Sequence, residues 1–106
     1  MAGRAVANRS EPMRVQTPRG PVEVVRQQWR SQRRGSRWEW EWLARRGGQR
    51  DWKQGTTARE AIRQATFLAP GKQPAWLTAA VAEAERGLIA RAAEPPGDPG
   101  GSEGVS

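Results

Sequence analysis

Two glutamates in the stretch RWEWEW, residues 37–42, could carry acid–base chemistry. Glu39 and Glu41 are two residues apart in a predicted strand, so their side chains share a face at about the separation of paired catalytic carboxylates. Alternating glutamates are also common on the exposed face of an ordinary strand, and no nucleophile or metal-ligand set accompanies this pair. We therefore expect no catalytic residues and no enzymatic activity.

The composition removes most other kinds of site chemistry. The 106 residues include no cysteine and no histidine, which excludes disulfides, Cys/His metal sites and thiol nucleophiles. The stretch RRGGQR lacks the strand-to-helix context and the terminal Lys and Ser/Thr of a phosphate-binding loop. No segment is apolar enough to span a membrane, and the N-terminus has no apolar stretch typical of a signal peptide. We expect no cofactor, metal, membrane or small-molecule substrate, and a cytoplasmic location.

Basic residues are concentrated in one part of the chain. The formal net charge is +7, and residues 26–53 alone contain nine basic and three acidic side chains. A local excess of this size is the electrostatic footprint expected for phosphate. The candidate nucleic-acid-binding residues are Arg30, Arg33, Arg34, Arg37, Arg45, Arg46, Arg50 and Lys53.

Three tryptophans at alternate positions, Trp38, Trp40 and Trp42, should form a stripe on one face of their strand. One interpretation buries the stripe beneath the helices, because the chain has little other apolar bulk for a core. A second makes it a platform for unpaired bases, and a third buries it in a homodimer or partner interface. If it is buried, Glu39 and Glu41 face outward and would pair across strands with Arg26, Arg30 or Arg50.

The hydrophobic pattern predicts the elements that position these residues. Its period is close to two over residues 13–54, which predicts three to four antiparallel strands, with TPRG and Gly47-Gly48 as turns and a bulge or bend near Val24 to Arg26. It changes to 3.6 over helices at about 57–69 and 75–93, and Thr57 with Glu60 fits a capping box. Strands followed by two amphipathic helices indicate an α+β fold with both helices on one face of the sheet.

Both ends of the chain are expected to lie outside this domain, which spans residues 12–94. Residues 1–11 show no apolar period, and residues 95–106 form a Pro/Gly/Ser tail. Such segments cannot bury enough apolar surface to offset their ordering entropy, so both are predicted to be disordered.

The tryptophan, glycine and helix-cap positions of residues 35–65 match a known pattern. The matching residues are Trp38, Trp40, Gly47, Gly48, Gly55, Thr57, Glu60 and Ala61. With them the segment resembles the arm-type DNA-binding domain of phage and transposon integrases and the related plant ethylene-response DNA-binding domain. The resemblance implies a three-stranded sheet whose face opposite the helix enters the major groove, with contacts from Arg37, Glu39, Arg45, Arg46 and Arg50.

These observations together predict a small basic protein that binds nucleic acid without chemistry, with duplex DNA preferred, in an accessory or regulatory role such as those of mobile elements. One alternative is a protein-interaction or homodimerisation module that uses the tryptophan stripe or the second helix. Another is a single-strand binder that stacks bases on the three tryptophans.

Overall fold

The structure is a computed structural model that describes residues 3–93, with side chains as far as residue 89. Within this range the chain forms five strands followed by two helices, and the fold is α+β. The strands are β1 (Arg4–Ala7), β2 (Met13–Val15), β3 (Val22–Ser31), β4 (Glu39–Arg46) and β5 (Lys53–Gly55). The helices are α1 (Ala58–Ala65) and α2 (Ala75–Ala93). The C-terminal tail predicted for residues 95–106 lies outside the described residues.

The strands form one antiparallel sheet with the long strand β3 near its centre. The order is β1-β3-β4-β5, and β2 pairs with the first part of β3 while β1 pairs with its last part. The turn between β2 and β3 closes at TPRG, where the Gly20 amide donates to the Thr17 carbonyl at 2.9 Å. Gly20 has a φ of +106°, a conformation that glycine adopts without steric cost.

The N-terminal segment differs from the prediction. Residues 1–11 were expected to be disordered, but Arg4–Ala7 form β1 with a register from Arg4↔Ser31 to Ala7↔Gln28. An edge strand needs few apolar residues because backbone hydrogen bonds hold it, and here the Arg4 side chain adds a contact over the Trp29 ring at 4.7 Å. The absence of an apolar period in this segment therefore did not correctly predict disorder for Arg4–Ala7.

The bulge or bend predicted near Val24 to Arg26 is absent from the pairing of β3 with β4, although β3 changes partner there on its other side, from β2 to β1. Pairing between β3 and β4 is continuous from Val22↔Arg46 to Trp29↔Glu39. Val24 points to the helices and Val25 to the opposite face, and both side chains are fully buried. The two adjacent valines thus mark a strand covered on both faces at that point, not a change of phase.

The core lies between one face of the sheet and the two helices. The sheet contributes Val15, Val22, Val24, Trp42 and Ala44. The helices contribute mainly small side chains, with Ile62, Leu77 and Leu88 as the larger ones. The packing of α1 on the sheet requires a glycine at position 55, because an added Cβ would lie 2.7 Å from the Ala61 backbone nitrogen. Gly55 pairs with Trp42, so α1 sits directly on the Trp42 end of the stripe.

Helix α1 is shorter than predicted. It begins as expected, with the Thr57 hydroxyl accepting from the Glu60 amide at 3.1 Å, but it ends at Ala65 instead of residue 69. Phe67 follows the C-cap with a φ of +57°, and the Leu68 amide donates to the Arg63 carbonyl, which is the hydrogen bonding of a Schellman motif. Arg19 also donates to the Thr66 carbonyl at 2.8 Å. A glycine usually occupies the left-handed position of a Schellman motif, but here that position is Phe67. Side-chain hydrogen bonds to the last turn stabilise the helix end instead.

Neither helix of the described residues combines the length and the apolar character that crossing a membrane requires.

Candidate nucleic-acid interface

The tryptophan stripe is only partly covered by the helices. Trp42 belongs to the core and is 6% exposed, whereas Trp40 and Trp38 are 37% and 41% exposed. All three lie on the helix side of the sheet, but the core ends at Trp42. The buried interpretation is therefore confirmed for Trp42 and wrong for the other two, because α1 starts beside Trp42 and runs towards Arg46, away from them.

Two arginines of β3 stack on this stripe. The Arg26 guanidinium lies 3.7 Å from the Trp40 ring centroid and 5.6 Å from that of Trp42. The Arg30 guanidinium lies 5.0 Å from the Trp38 ring centroid. These are cation–π distances, and burial lowers the pKa of Arg26 below its ordinary value. We name Trp38, Trp40, Arg26 and Arg30 the Arg–Trp ladder.

The ladder corrects the charge pairing predicted from the sequence. Arg26 and Arg30 were expected to neutralise Glu39 and Glu41, but the register puts Arg26 opposite Trp42 and both arginines on the face away from the glutamates. Within the described side chains, neither arginine has a carboxylate within ion-pair distance. The Nε of Arg26 is buried and has no hydrogen-bond partner among the described residues.

The loop between β3 and β4 carries three further arginines. Arg33, Arg34 and Arg37 are all exposed, and none forms an ion pair with a described residue. Local hydrogen bonds shape the loop: the Arg33 amide donates to the Ser31 hydroxyl at 3.1 Å, and the Ser36 amide donates to the Arg33 carbonyl at 3.2 Å. Together with Arg30 at the end of β3 they form a group of four uncompensated positive charges, which we name the arginine tip.

Glu41 lies on the other face of the sheet in a network that leaves it no free oxygen. The residue is 1% exposed, and its carboxylate pairs with Arg4 and accepts from the side-chain amides of Gln27 at 2.5 Å and Gln54 at 2.7 Å. Glu39 is exposed and stands opposite Trp29. The two carboxylates therefore have different surroundings, and Glu41 is held as a structural ion-pair partner.

The remaining predicted residues lie at the opposite end of β4. Arg45 forms an ion pair with Glu23 at 2.8 Å and stacks over Trp52 at 4.3 Å, and Arg46 lies over the Phe67 ring at 5.1 Å. Arg50 is exposed in the following turn, and Lys53 is half-buried in β5. Seven residues separate Trp38 from Arg45, so roughly 25 Å divide this group from the arginine tip.

The eight predicted residues thus fall into two groups, of which the first contains Arg30, Arg33, Arg34 and Arg37. Sequence reasoning missed Arg26 as a member of the same surface, since only the strand register reveals that it faces Trp40 and Trp42. It also missed Arg4, which lies in the segment predicted to be disordered. In the described part of the chain, no three acidic side chains come together as a metal site would require.

Comparisons with known proteins add no relative to this description. No protein-family model matches the sequence, and searches of the curated proteins and of the solved structures return no match.

Proposed function

We propose that the protein binds nucleic acid, preferably duplex DNA, through the arginine tip, without enzymatic activity and in an accessory or regulatory role. The single observation that supports this most is the group of four arginines at one end of the β3–β4 hairpin without carboxylate partners among the described residues. The cytoplasmic location expected from the sequence belongs to the same proposal.

Charge compensation distinguishes the tip from the rest of the surface. Arg4, Arg45 and Arg63 each form an ion pair with a glutamate, so much of their charge is balanced locally. The tip arginines have no such partner in the part of the chain that the structure describes, and an uncompensated cluster attracts phosphate over about a Debye length, roughly 10 Å at moderate salt. Arginine suits this role because its planar fork can donate two hydrogen bonds to one phosphate.

The shape of the tip favours a duplex. It is the end of a hairpin of two neighbouring strands, which lie about 4.8 Å apart. The major groove of B-DNA is about 12 Å wide and admits a two-stranded β-ribbon. A tip placed in the groove would bring its arginines to the phosphates of both groove walls.

Fluorescence anisotropy of a short labelled duplex tests the proposal. Four phosphate contacts predict a slope of log K against log salt near −4, and the variant R33A/R34A should reduce this slope by about 2. The matched control is K72A/R86A, which removes two exposed positive charges from the helical part. Equal effects of the two variants, or no binding by the native protein, would contradict the proposal.

A second candidate function is supported by one observation, the exposure of Trp38 and Trp40 on adjacent positions of one face. A contiguous exposed aromatic surface is typical of protein interfaces, so the chain could form a homodimer or dock on a partner protein through it. Light scattering at low and high salt tests this function. A dimer that persists in high salt and is lost in W38A/W40A would favour it over nucleic-acid binding.

A further inference from the structure

We infer that the Arg–Trp ladder is a stacking site for unpaired bases, so that the preferred ligand is a duplex that continues into a single strand. This inference rests on the proposed function, because the arginine tip would hold the duplex part. The ladder would hold the bases that leave the duplex at the same end of the sheet.

The tip and the ladder are continuous along the chain. Arg37 belongs to the tip and Trp38, the next residue, to the ladder, while Arg30 belongs to both. A strand that leaves a duplex bound at the tip therefore meets Trp38 first and Trp40 next. These two side chains are about 6.8 Å apart along the strand, which is twice the 3.4 Å rise of stacked bases.

The chemistry of the ladder fits unpaired bases better than a duplex. Inside a duplex, each base has both faces covered by its neighbours, so an indole has no face to stack on. An unpaired base offers its ring to an aromatic side chain, and such stacking tolerates any base sequence. Trp38 and Trp40 keep more than a third of their surface exposed although the core of this small protein has few large side chains.

The two ladder arginines supply the positive charge that a single strand needs. Arg26 lies 3.7 Å from the Trp40 ring centroid and Arg30 lies 5.0 Å from that of Trp38, so each indole has a guanidinium over one face of its ring. No described carboxylate pairs with either one, and the glutamates of β4 lie on the other face of the sheet. The phosphates between successive stacked bases would therefore meet two guanidinium groups that no described carboxylate neutralises.

The test compares one labelled duplex with blunt ends and the same duplex with a short oligothymidine extension, by anisotropy and tryptophan emission. We expect the extended duplex to bind about tenfold more tightly and to quench the emission. The variant W38A/W40A should lose this preference and keep the affinity for the blunt duplex. The matched control F67A removes an exposed aromatic side chain at the opposite end of the sheet and should keep the preference.

The outcomes separate this inference from the proposed function. Equal affinity of the native protein for the two duplexes, or a preference that W38A/W40A retains, overturns the stacking site and leaves duplex binding in place. Absence of binding to both ligands overturns both proposals. Since W38A/W40A also loses a stacking partner of Arg26, circular dichroism must first show that it is folded. If it is not, W38L/W40L, which keeps apolar bulk but has no aromatic ring, takes its place with the same expected loss of preference.

Discussion

The guanidinium of Arg26 lies 3.7 Å from the ring centroid of Trp40 and 5.6 Å from that of Trp42, so it spans the boundary between the core and the exposed end of the sheet. On one side of this arginine Trp42 packs against α1, and on the other side Trp40 is open to solvent. The three side chains therefore mark where the buried part of the tryptophan stripe ends and where its exposed part begins.

This boundary predicts unequal effects of two tryptophan substitutions on stability. Trp42→Ala should lower the free energy of unfolding by about 3 to 5 kcal/mol, because it removes a nearly buried indole from a small core. Trp38→Ala should lower it by about 1 kcal/mol or less, since it loses mainly a stack with Arg30. Urea unfolding followed by circular dichroism measures both values. Similar losses in the two variants would mean that Trp38 also belongs to the core.

The contact between Arg4 and Glu41 predicts how the first strand is held. Arg4→Ala removes the cation that β1 contributes to the buried carboxylate, so the β1 amides should exchange with solvent faster while those of α1 stay protected. The control Arg14→Ala removes an exposed arginine of β2 that has no ion pair among the described residues. Hydrogen exchange measured by mass spectrometry distinguishes them. Unchanged exchange of β1 in Arg4→Ala would show that backbone hydrogen bonds alone hold the strand.

Removal of Glu41 should destabilise the protein through the buried glutamine that it leaves without an acceptor. In Glu41→Ala the side-chain amides of Gln27 and Gln54 lose their acceptor, and Gln27 is almost completely buried. A buried donor without an acceptor costs about 1 to 3 kcal/mol, whereas the Arg4 that remains is partly exposed and can be solvated. Urea unfolding should therefore show a loss of about 1 to 3 kcal/mol in Glu41→Ala. Unchanged stability would mean that the Gln27 amide finds another acceptor.

The periodicity of the sequence was sufficient for the fold class, and particular residues show why it was not sufficient for the site. The change from period two to 3.6 reports which residues face a core, so the strand-then-helix order follows from it. The period carries no information on which segment pairs with the edge of the sheet. The sequence therefore did not predict β1, which is held mainly by backbone hydrogen bonds to β3 and by the Arg4 side chain. The hydrophobic period also does not give the register of β3 against β4. This register decides that Arg26 lies opposite Trp42 and on the face away from Glu41.

The direction of α1 determines which tryptophans it covers. Its first turn lies against Gly55, the partner of Trp42, and its C-terminal end lies near Arg46, whose side chain contacts Phe67. The helix therefore leads away from Trp40 and Trp38, which stay exposed. The sequence predicted the existence of this helix, but periodicity does not report the direction in which a helix crosses the sheet.

The ion pair within α1 predicts a pH dependence of stability. A hydrogen bond from Arg63 lowers the pKa of Glu60 below its ordinary value. A carboxylate whose folded-state pKa is lowered contributes stability above its unfolded pKa, about 4.3, and loses it as the pH falls through the folded-state value. The stability of the native protein relative to Glu60→Gln should therefore be constant above about pH 5 and shrink at lower pH. Thermal unfolding of both proteins between neutral and acidic pH measures it, and a difference that does not change with pH would contradict this assignment.

The conformation of Phe67 predicts a difference in stability between two substitutions at this position. Its φ of +57° brings the Cβ close to backbone atoms, which costs about 1 kcal/mol or more in any residue except glycine. Phe67→Gly and Phe67→Ala both remove the exposed ring and its contact with Arg46, but only glycine relieves the crowding at the Cβ. We expect Phe67→Gly to be more stable than Phe67→Ala by about 1 kcal/mol in urea unfolding, even though glycine adds entropy to the unfolded chain. If alanine were as stable as glycine, the helix end would relax into another conformation once the ring is removed, and the ring itself would be what holds α1 to eight residues.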